Sequence, residues 1–175
     1  MKLSWETMDI QEIAAIVAEH LAKQNIDATL VGGACVSIYS HNEYLSSDLD
    51  FVTDSSLKKL EKALDLIGYK KVEGRLFGHE RTEFVLDFLP PPVAIGQEPI
   101  LQRTTIGKLV LLTPTDCVKD RLAAYYHWND HQSLEQAIMV AKGQKPKINL
   151  CEIERWSKTE NNIEKFKVFL GRLKK

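Results

Sequence analysis

The sequence predicts an α+β fold, with a small mixed β-sheet backed by helices and a helical C-terminal half. Up to about residue 112, short runs rich in β-branched and aromatic residues are separated by glycines and prolines, which is typical of strands. From residue 113 the apolar residues recur every three or four positions, which is typical of helices. The 175 residues suffice for one domain. We expect an α/β core over residues 1–112, with residues 113–175 packed on the same domain.

Caps and turn residues define the elements of the first half. Asp9 and Glu12 have the spacing of a capping box, so a helix should begin there. Asp54 or Ser55 is the predicted cap of a later helix, and Gly78 is the expected centre of a hairpin. The predicted elements are a helix over 9–24, a strand over 27–31, a helix over 34–40, a strand over 45–53, a helix over 55–67, and strands over 72–77 and 81–89.

Helix starts are the clearest signals of the second half. Thr113 is a good N-cap, Pro114 suits the first helical position, and Asp116 favours the first turn. Asp130 has two readings, a base in a site or the N-cap of the next helix, and the cap is favoured. The predicted elements are a loop over 90–97, one or two strands within 101–112, and helices over 113–128, 132–142, 150–157 and 160–173.

The most informative pattern is a glycine pair followed by two carboxylates one residue apart. Gly32 and Gly33 lie between an apolar strand and a predicted helix, and Asp48 and Asp50 lie on the next strand. Side chains alternate along a strand, so both aspartates point the same way and their apolar neighbours point into the core. Adjacent like charges favour a divalent cation with oxygen ligands. Alone, the glycine pair is equally typical of a tight strand-to-helix turn.

A third carboxylate lies on a later strand. Asp87 is flanked by Leu86 and Phe88, and three prolines follow at 90–92. Burying a charge without a partner is costly, so an acid inside an apolar strand is expected to serve a site. We therefore group Asp87 with the two aspartates of the first motif. Glu83 shares its face of the strand and is expected at the rim.

Together these pieces resemble the nucleotidyltransferase superfamily related to DNA polymerase β. The matching segments are Val31-Gly32-Gly33, Asp48-Leu49-Asp50-Phe51 and Leu86-Asp87-Phe88. The order is most similar to that of AbiEii-type toxin nucleotidyltransferases and their uncharacterised relatives. The motifs span residues 28–90, with weaker similarity over 113–142. The resemblance implies a nucleotidyltransferase-like sheet and Mg²⁺- or Mn²⁺-dependent transfer of a nucleoside monophosphate from an NTP to an acceptor hydroxyl, with release of pyrophosphate.

The resemblance also implies roles for individual residues. Asp48 and Asp50 would hold both metal ions, and Asp87 would serve the ion that activates the acceptor and help to deprotonate it. Gly32 and Gly33 would present N–H groups to the β- and γ-phosphates.

Three further residues are candidates for phosphate contacts. Ser37, one turn into the helix, either faces phosphate or is a small packing residue. Lys119 and Arg121 could bind triphosphate oxygens, and Lys119 best matches a lysine implicated in AbiEii-type relatives; its alternative is a surface lysine paired with an acid.

Two departures from the family pattern concern nucleotide binding. The spacer between Gly33 and Asp48 has fourteen residues, at or just beyond the long end of the usual range. Tyr44 stands where many relatives carry an arginine that can contact triphosphate. These departures motivate an alternative function: a nucleotide-binding or protein-interaction module that has the same fold but no catalytic activity.

The acceptor stays open at this point. It could be tRNA, a protein or a small molecule, and a toxin would have an antitoxin partner. An aminoglycoside-modifying role predicts an acidic acceptor cleft. His127 and His131 have the spacing of two ligands on a helix, but the intervening Asn129 and Asp130 favour a break there, so zinc is disfavoured.

Bulk composition excludes several classes of protein. The net charge of −1 gives no global field for nucleic acid. Lysines and arginines near the C-terminus fit a solvated helix face better than an RNA contact. Three widely spaced cysteines are typical of reduced thiols. No apolar run reaches membrane-spanning length and no leader is evident, so we expect a cytoplasmic protein without a membrane partner.

Overall fold

The computed structural model describes residues 4–174 and shows an α+β fold. The α-helices are α1 Ile10–Lys23, α2 Gly32–Tyr39, α3 Leu57–Asp65, α4 Pro114–Trp128, α5 His131–Gly143, α6 Leu150–Thr159 and α7 Ile163–Leu173. The strands are β1 Thr29–Val31, β2 Asp48–Val52, β3 Tyr69–Glu73, β4 Leu76–His79, β5 Thr82–Leu89, β6 Ala94–Ile95, β7 Glu98–Pro99, β8 Thr104–Ile106 and β9 Leu109–Leu111. Short 3₁₀ turns lie at Trp5–Thr7 and Lys145–Lys147.

Seven of the strands form one mixed sheet in the order β3-β4-β5-β2-β1-β9-β8. The β2–β5 and β1–β9 pairs are parallel, and the other neighbours are antiparallel. Strand β2 is central, with β1 on one side and β5 on the other. Strands β6 and β7 form a separate two-stranded ribbon.

Alternation along β2 and β5 separates an apolar face from an acidic one. Leu49 and Phe51 on β2 are fully buried, as are Leu86 and Phe88, their register partners on β5. The Phe51 and Phe88 rings stack with their centroids 5.7 Å apart. Each such side chain contributes roughly 1.5–3 kcal/mol by leaving water. This burial fixes the register, because a shift of one residue would turn the aspartates into the core.

The strand predicted over 72–77 is wrong, because a turn divides it. Gly74 adopts a φ of +51° between β3 and β4, a conformation that favours glycine. Gly78, the predicted hairpin centre, lies inside β4, and the chain reverses at Glu80 and Arg81 instead. The run is β-rich throughout, so composition alone does not show where the ladder is interrupted.

Several predicted boundaries also move. Helix α2 begins at Gly32 itself, two residues before the predicted start. Ser56, and not Asp54 or Ser55, caps α3 by accepting a hydrogen bond from the Lys59 N–H. Strand β2 is shorter at its start than predicted: Leu45 is 74% exposed and lies in the preceding loop.

The helical half begins as predicted and packs on the core. Thr113 accepts from the Asp116 N–H, and Asp130 accepts from the N–H groups at the start of α5, which confirms both caps. Helix α4 packs against α2, α5 and α6. The end of α5 approaches α2 so closely that a Cβ at Gly143 would overlap the carbonyl oxygen of Tyr39.

Candidate active site

The three predicted aspartates lie together on one face of the sheet. Asp50 and Asp87 are register neighbours across the parallel β2–β5 pair, and Asp48 lies two residues before Asp50. Asp48 is exposed, whereas Asp50 and Asp87 are half-buried. The central strands therefore present three carboxylates on the face opposite the packed phenylalanines.

Asp50 has the most strongly perturbed carboxyl of this group. Burial raises its pKa to about 6, and the neighbouring charges of Asp87 and Asp48 act in the same direction. The positive charge of Arg121 acts in the opposite sense. A carboxyl with this pKa is half-protonated near pH 6, because burial and the two nearby carboxylates all disfavour its ionised form.

The start of α2 lies directly against this carboxyl. Val31 is the cross-strand neighbour of Asp50, and Gly32 follows it with a φ of +69°. A Cβ at Gly32 would overlap Oδ2 of Asp50, so only glycine allows this approach. The N-cap of α2 is Val31, whose side chain cannot accept a hydrogen bond, and the first N–H groups of the helix keep their capacity to bind an anion.

Gly33 and Ser37 connect α2 to the loop before β2. A Cβ at Gly33 would lie 2.9 Å from Oγ of Ser46. Ser37 is fully buried; its Oγ accepts from the Ser46 N–H at 3.0 Å and donates to the Gly33 carbonyl at 3.4 Å. These contacts correspond to the packing alternative for Ser37. Its hydroxyl links the first turn of α2 to the loop before β2.

The carboxylates of this face would suit a magnesium ion that also binds substrate phosphates. Within residues 4–174, no three His, Cys, Asp or Glu side chains are preassembled as a metal cage. Mg²⁺ commonly binds one or two carboxylates and completes its shell with water and substrate phosphates. The like charges around Asp50, together with the space that a Cβ at Gly32 would fill, suit this mode of binding.

Lys119 lies in a different cluster. Its side chain is 3% exposed, and Nζ lies 3.3 Å from Glu152, 3.4 Å from Asp116 and 3.9 Å from Glu98. The ammonium also lies over the ring of Trp156, 5.7 Å from its centroid. The structure thus brings the aspartates and the glycine pair together and places Lys119 among carboxylates that already neutralise it.

The neighbouring turn of α4 supplies the charges that act on the site. Asp120 and Arg121 both contribute to the electrostatics of Asp50, with opposite signs. Arg121 donates from Nε to Asp120 Oδ2 at 3.0 Å and from Nη1 to Gln136 at 3.4 Å. Sequence reasoning named Arg121 only beside Lys119 and missed Asp120. The sequence around residue 119 does not show which side of α4 faces the sheet, so it could not indicate that Asp120 lies near the site.

Two clefts lie near the two ends of β2 and β5. One, of about 280 Å³, adjoins the start of β2 and β5, and its lining residues are Asp9, Ile10, Asn42, Leu45, Ser46, Ser47, Glu83 and Phe84. Glu83 is therefore at the rim, as predicted. The other, of about 200 Å³, adjoins the ends of the same strands beneath α4. Val52 and Leu89 line the second cleft and lie on the same sheet face as Asp50 and Asp87, so this cleft continues the carboxylate face.

The two histidines of the zinc alternative are separated. Asn129 ends α4 in the left-handed conformation, so His127 and His131 do not share a helix. His127 Nε2 lies 3.0 Å from a carboxylate oxygen of Glu160. The His131 ring instead contacts Tyr125. Each imidazole has its own structural contact, and the predicted break in the helix at Asn129 and Asp130 is confirmed.

Comparison with known proteins shows the fold. No protein-family model matches the sequence, and no curated protein matches it either. Among solved structures, an antigenic nucleotidyltransferase-like protein from Paracoccidioides brasiliensis superposes with a TM-score of 0.60, at 16% identity over 78% of this chain and 77% of that one.

A second similar fold is that of the antibiotic-resistance factor ANT(2'')-Ia. Its solution structure gives a TM-score of 0.52 at 14% identity over 95% of this chain and 97% of that one. Its complex with adenylyl-2''-tobramycin gives 0.51 at 13% identity over 94% and 96%. The chain therefore has a nucleotidyltransferase-like fold.

Among the described residues, no helix has the length and apolar character needed to cross a membrane.

Proposed function

We propose that the chain is a Mg²⁺-dependent nucleotidyltransferase, which moves a nucleoside monophosphate from an NTP to an acceptor hydroxyl. The observation that carries this proposal is the contact between the Asp50 carboxylate and the glycine start of α2, with Asp87 and Asp48 on the same face. A carboxylate group and a phosphate-binding helix start at one place are the two requirements of metal-assisted phosphoryl chemistry.

The chain's own residues would bind the triphosphate and orient it. The N–H groups of Gly32 and Gly33 would donate to the β- and γ-phosphates, and Ser37 would hold the Gly33 carbonyl and the loop before β2 in place. Arg121 is the better candidate for a phosphate contact than Lys119, because its charge acts on Asp50 and it pairs with one carboxylate, that of Asp120, whereas Lys119 lies among three. Arg121→Gln should weaken Mg-NTP binding at least about tenfold, the usual loss for one charge-assisted hydrogen bond.

The reaction would join the acceptor oxygen to the α-phosphorus and break the bond to the β-phosphate oxygen, releasing pyrophosphate. Asp48, Asp50 and Asp87 would hold Mg²⁺, which offsets charge on the attacking and leaving oxygens when bound. Asp87 would help to take the proton from the acceptor hydroxyl. Most of the rate would come from positioning and electrostatics, with little covalent work for the protein.

Thermal unfolding in the presence of nucleotides tests this proposal. A ligand at one hundred times its Kd stabilises the folded state by roughly 2.7 kcal/mol. We expect at least one of ATP, CTP, GTP and UTP to raise the melting temperature in the presence of Mg²⁺, and Asp48→Ala/Asp50→Ala to abolish the increase. Asp65→Asn, which alters an exposed acid at the end of α3, is the matched control. Binding by the double variant equal to that of the wild type would contradict the assignment.

One observation favours the alternative of a module without turnover. The Tyr44 ring lies 3.5 Å from where a Cβ at Gly33 would be, so an aromatic ring borders the helix start where many relatives carry an arginine. Pyrophosphate release separates the two functions. Mg-dependent nucleotide binding without pyrophosphate release, tested over acceptors of all three classes, would favour the module.

The acceptor is proposed from the cleft at the start of β2 and β5. Asp9 and Glu83 line it, as does Ser47, which directly precedes Asp48. The two carboxylates suit an acceptor that carries amino groups better than an anionic RNA. A small amine-bearing hydroxyl compound, such as an aminoglycoside, is therefore our first candidate. Adenylyl transfer to tobramycin but not to tRNA would support it, and the reverse preference would refute it.

A toxin of the AbiEii type, acting in the cytoplasm and neutralised by an antitoxin, is the remaining candidate. Its acceptor would be tRNA or a protein. Growth arrest on expression that disappears in Asp50→Ala would favour the toxin. Harmless overexpression of a folded wild-type protein would count against it.

A further inference from the structure

The second cleft, at the end of β2 and β5, has apolar walls and one charged side chain. Its lining residues are Val31, Val52, Leu89, Pro90, Pro92, Val93, Ala94, Ile95, Leu112 and Asp120. Val52 and Leu89 are register partners on the same sheet face as Asp50 and Asp87. The cleft is therefore a direct continuation of the carboxylate face.

We propose that this cleft receives the nucleobase of the NTP and that Asp120 selects a base with the 4-amino group of cytosine or the 6-amino group of adenine. The inference rests on the proposed function and names a specificity-determining residue for it. A volume of about 200 Å³ suits one planar heterocycle and is too small for a peptide segment or a multi-ring acceptor. Apolar side chains and prolines on the walls suit the two faces of such a ring.

The position of the cleft agrees with the length of a nucleotide. Val52 lies two residues beyond Asp50, which is about 7 Å along a strand. A ribose can bridge that distance between a phosphate at the carboxylates and a base beside Val52. Val31 lines the same cleft and immediately precedes Gly32, so the phosphate-binding helix start adjoins it. Phosphate, sugar and base would thus follow one continuous surface.

Asp120 is held in a fixed orientation at this surface. Two N–H groups of Arg121 donate to its Oδ2, and the side chain is 25% exposed. Among the described residues, Oδ1 therefore keeps its lone pairs for a ligand. An ionised carboxylate only accepts hydrogen bonds, so it favours the amino group of cytosine or adenine over the carbonyl that replaces it in uracil or hypoxanthine.

Matched nucleotide pairs test the inference. The Kd values of Mg-CTP and Mg-UTP, and of Mg-ATP and Mg-ITP, are measured by titration calorimetry for the wild type and Asp120→Asn. We expect the amino-bearing member of at least one pair to bind about tenfold more tightly in the wild type, as for a hydrogen bond to a charged group. The ratio should fall to near one in Asp120→Asn, because an amide both donates and accepts.

The ratio separates base recognition from a purely structural role. If Asp120 only positions Arg121, the variant will weaken all nucleotides by the same factor and leave the ratio unchanged, which would overturn the inference. Leu89→Trp gives a second readout, because Leu89 is 38% exposed at the cleft and a larger ring there fills the space. It should weaken the nucleotides while leaving Mg-tripolyphosphate binding intact.

Tripolyphosphate also distinguishes failure of this inference from failure of the proposed function. Binding of Mg-tripolyphosphate with no preference within either nucleotide pair would refute base selection by Asp120 and leave the transferase proposal in place. Absence of binding for tripolyphosphate and for every nucleotide would refute both.

Discussion

At the scale of single residues, Asp50 links the chemistry of the site to the stability of the protein. Its pKa lies at about 6 in the folded chain, above the ordinary value of 3.8, because of burial and the charges of Asp87 and Asp48. The folded state therefore binds more protons than the unfolded state between these two values. The contribution of Asp50 to stability is full below about pH 4 and is lost as the pH rises through 6.

Asp50→Asn should remove this dependence. Without Mg²⁺ at pH 7.5, we expect the variant to be more stable than the wild type by about 3 kcal/mol, because the pKa of Asp50 in the folded chain lies roughly 2 above its ordinary value. Urea unfolding of both proteins between pH 4 and 7.5 measures the difference. Asp65→Asn serves as the control for an exposed acid. A difference between wild type and Asp50→Asn that stays constant across the range would contradict the assignment.

Gly32 is a second residue at which geometry makes a sharp prediction. An alanine there combines a positive φ with overlap between its Cβ and Oδ2 of Asp50. Gly107 has a φ of +60°, and a Cβ there would meet no heavy atom within 4 Å, so this position isolates the first effect. Gly107→Ala should cost about 1–2 kcal/mol from the backbone alone. Gly32→Ala should cost more and should also weaken Mg-NTP binding, because Asp50 has to move.

Unfolding and nucleotide titrations of the two alanine variants measure both effects. Equal losses of stability with unchanged nucleotide binding would show that the close approach at Gly32 has no role in the site.

At the scale of elements, the Lys119 cluster joins α4, α6 and the short ribbon. Glu98 lies on β7 and Glu152 on α6, and Arg155 pairs with both. Hydrogen bonds from Arg155 and Lys119 lower the pKa of Glu152 to about 2. These contacts hold the C-terminal helices against the rest of the chain.

Lys119→Met should therefore reduce stability and leave nucleotide binding intact. Removing one partner from a buried ionic group typically costs about 3–5 kcal/mol. Lys158→Met, at an exposed pair on α6, is the matched control and should be nearly neutral. Chemical unfolding and Mg-NTP titration are the measurements. Normal stability with lost nucleotide binding would restore the phosphate role that the family resemblance gives to Lys119.

The sequence predicted correctly those features that depend on neighbouring residues, such as helix caps and the alternation of side chains along a strand. The caps at Thr113 and Asp130 and the alternation of aspartates on β2 were all recognisable in the sequence. The division of β3 from β4 at Gly74 was not, because the residues on both sides favour strands. The distinction between Lys119 and Arg121 depends on how α4 is rotated against α2 and the sheet, which is a tertiary property. The roles of the site residues stay predictions, although the structure places the three aspartates and the glycine pair together.

At the scale of the whole molecule, contacts between residues 1–112 and residues 113–175 decide whether these two regions unfold separately. Gln144 after α5 donates to the Tyr39 carbonyl on α2, and both α4 and α5 pack against α2. We expect residues 1–112 and 113–175 to unfold together. The calorimetric and van't Hoff enthalpies should then agree. Two resolved transitions, only one of which responds to Mg-NTP, would instead show separate units.

The parallel pairing of β1 with β9 has a consequence for synthesis. Leu30 pairs with Leu111, and its carbonyl accepts from the Leu112 N–H, so the strand that leads into the glycine turn is secured by a segment made much later. Chains fold from the N-terminus as they emerge, and contacts between distant segments form last. A nascent or prematurely terminated chain thus carries all three aspartates before the helix start that we propose for triphosphate binding has a fixed place. Nucleotide capture would be delayed until translation has passed the last strand of the sheet.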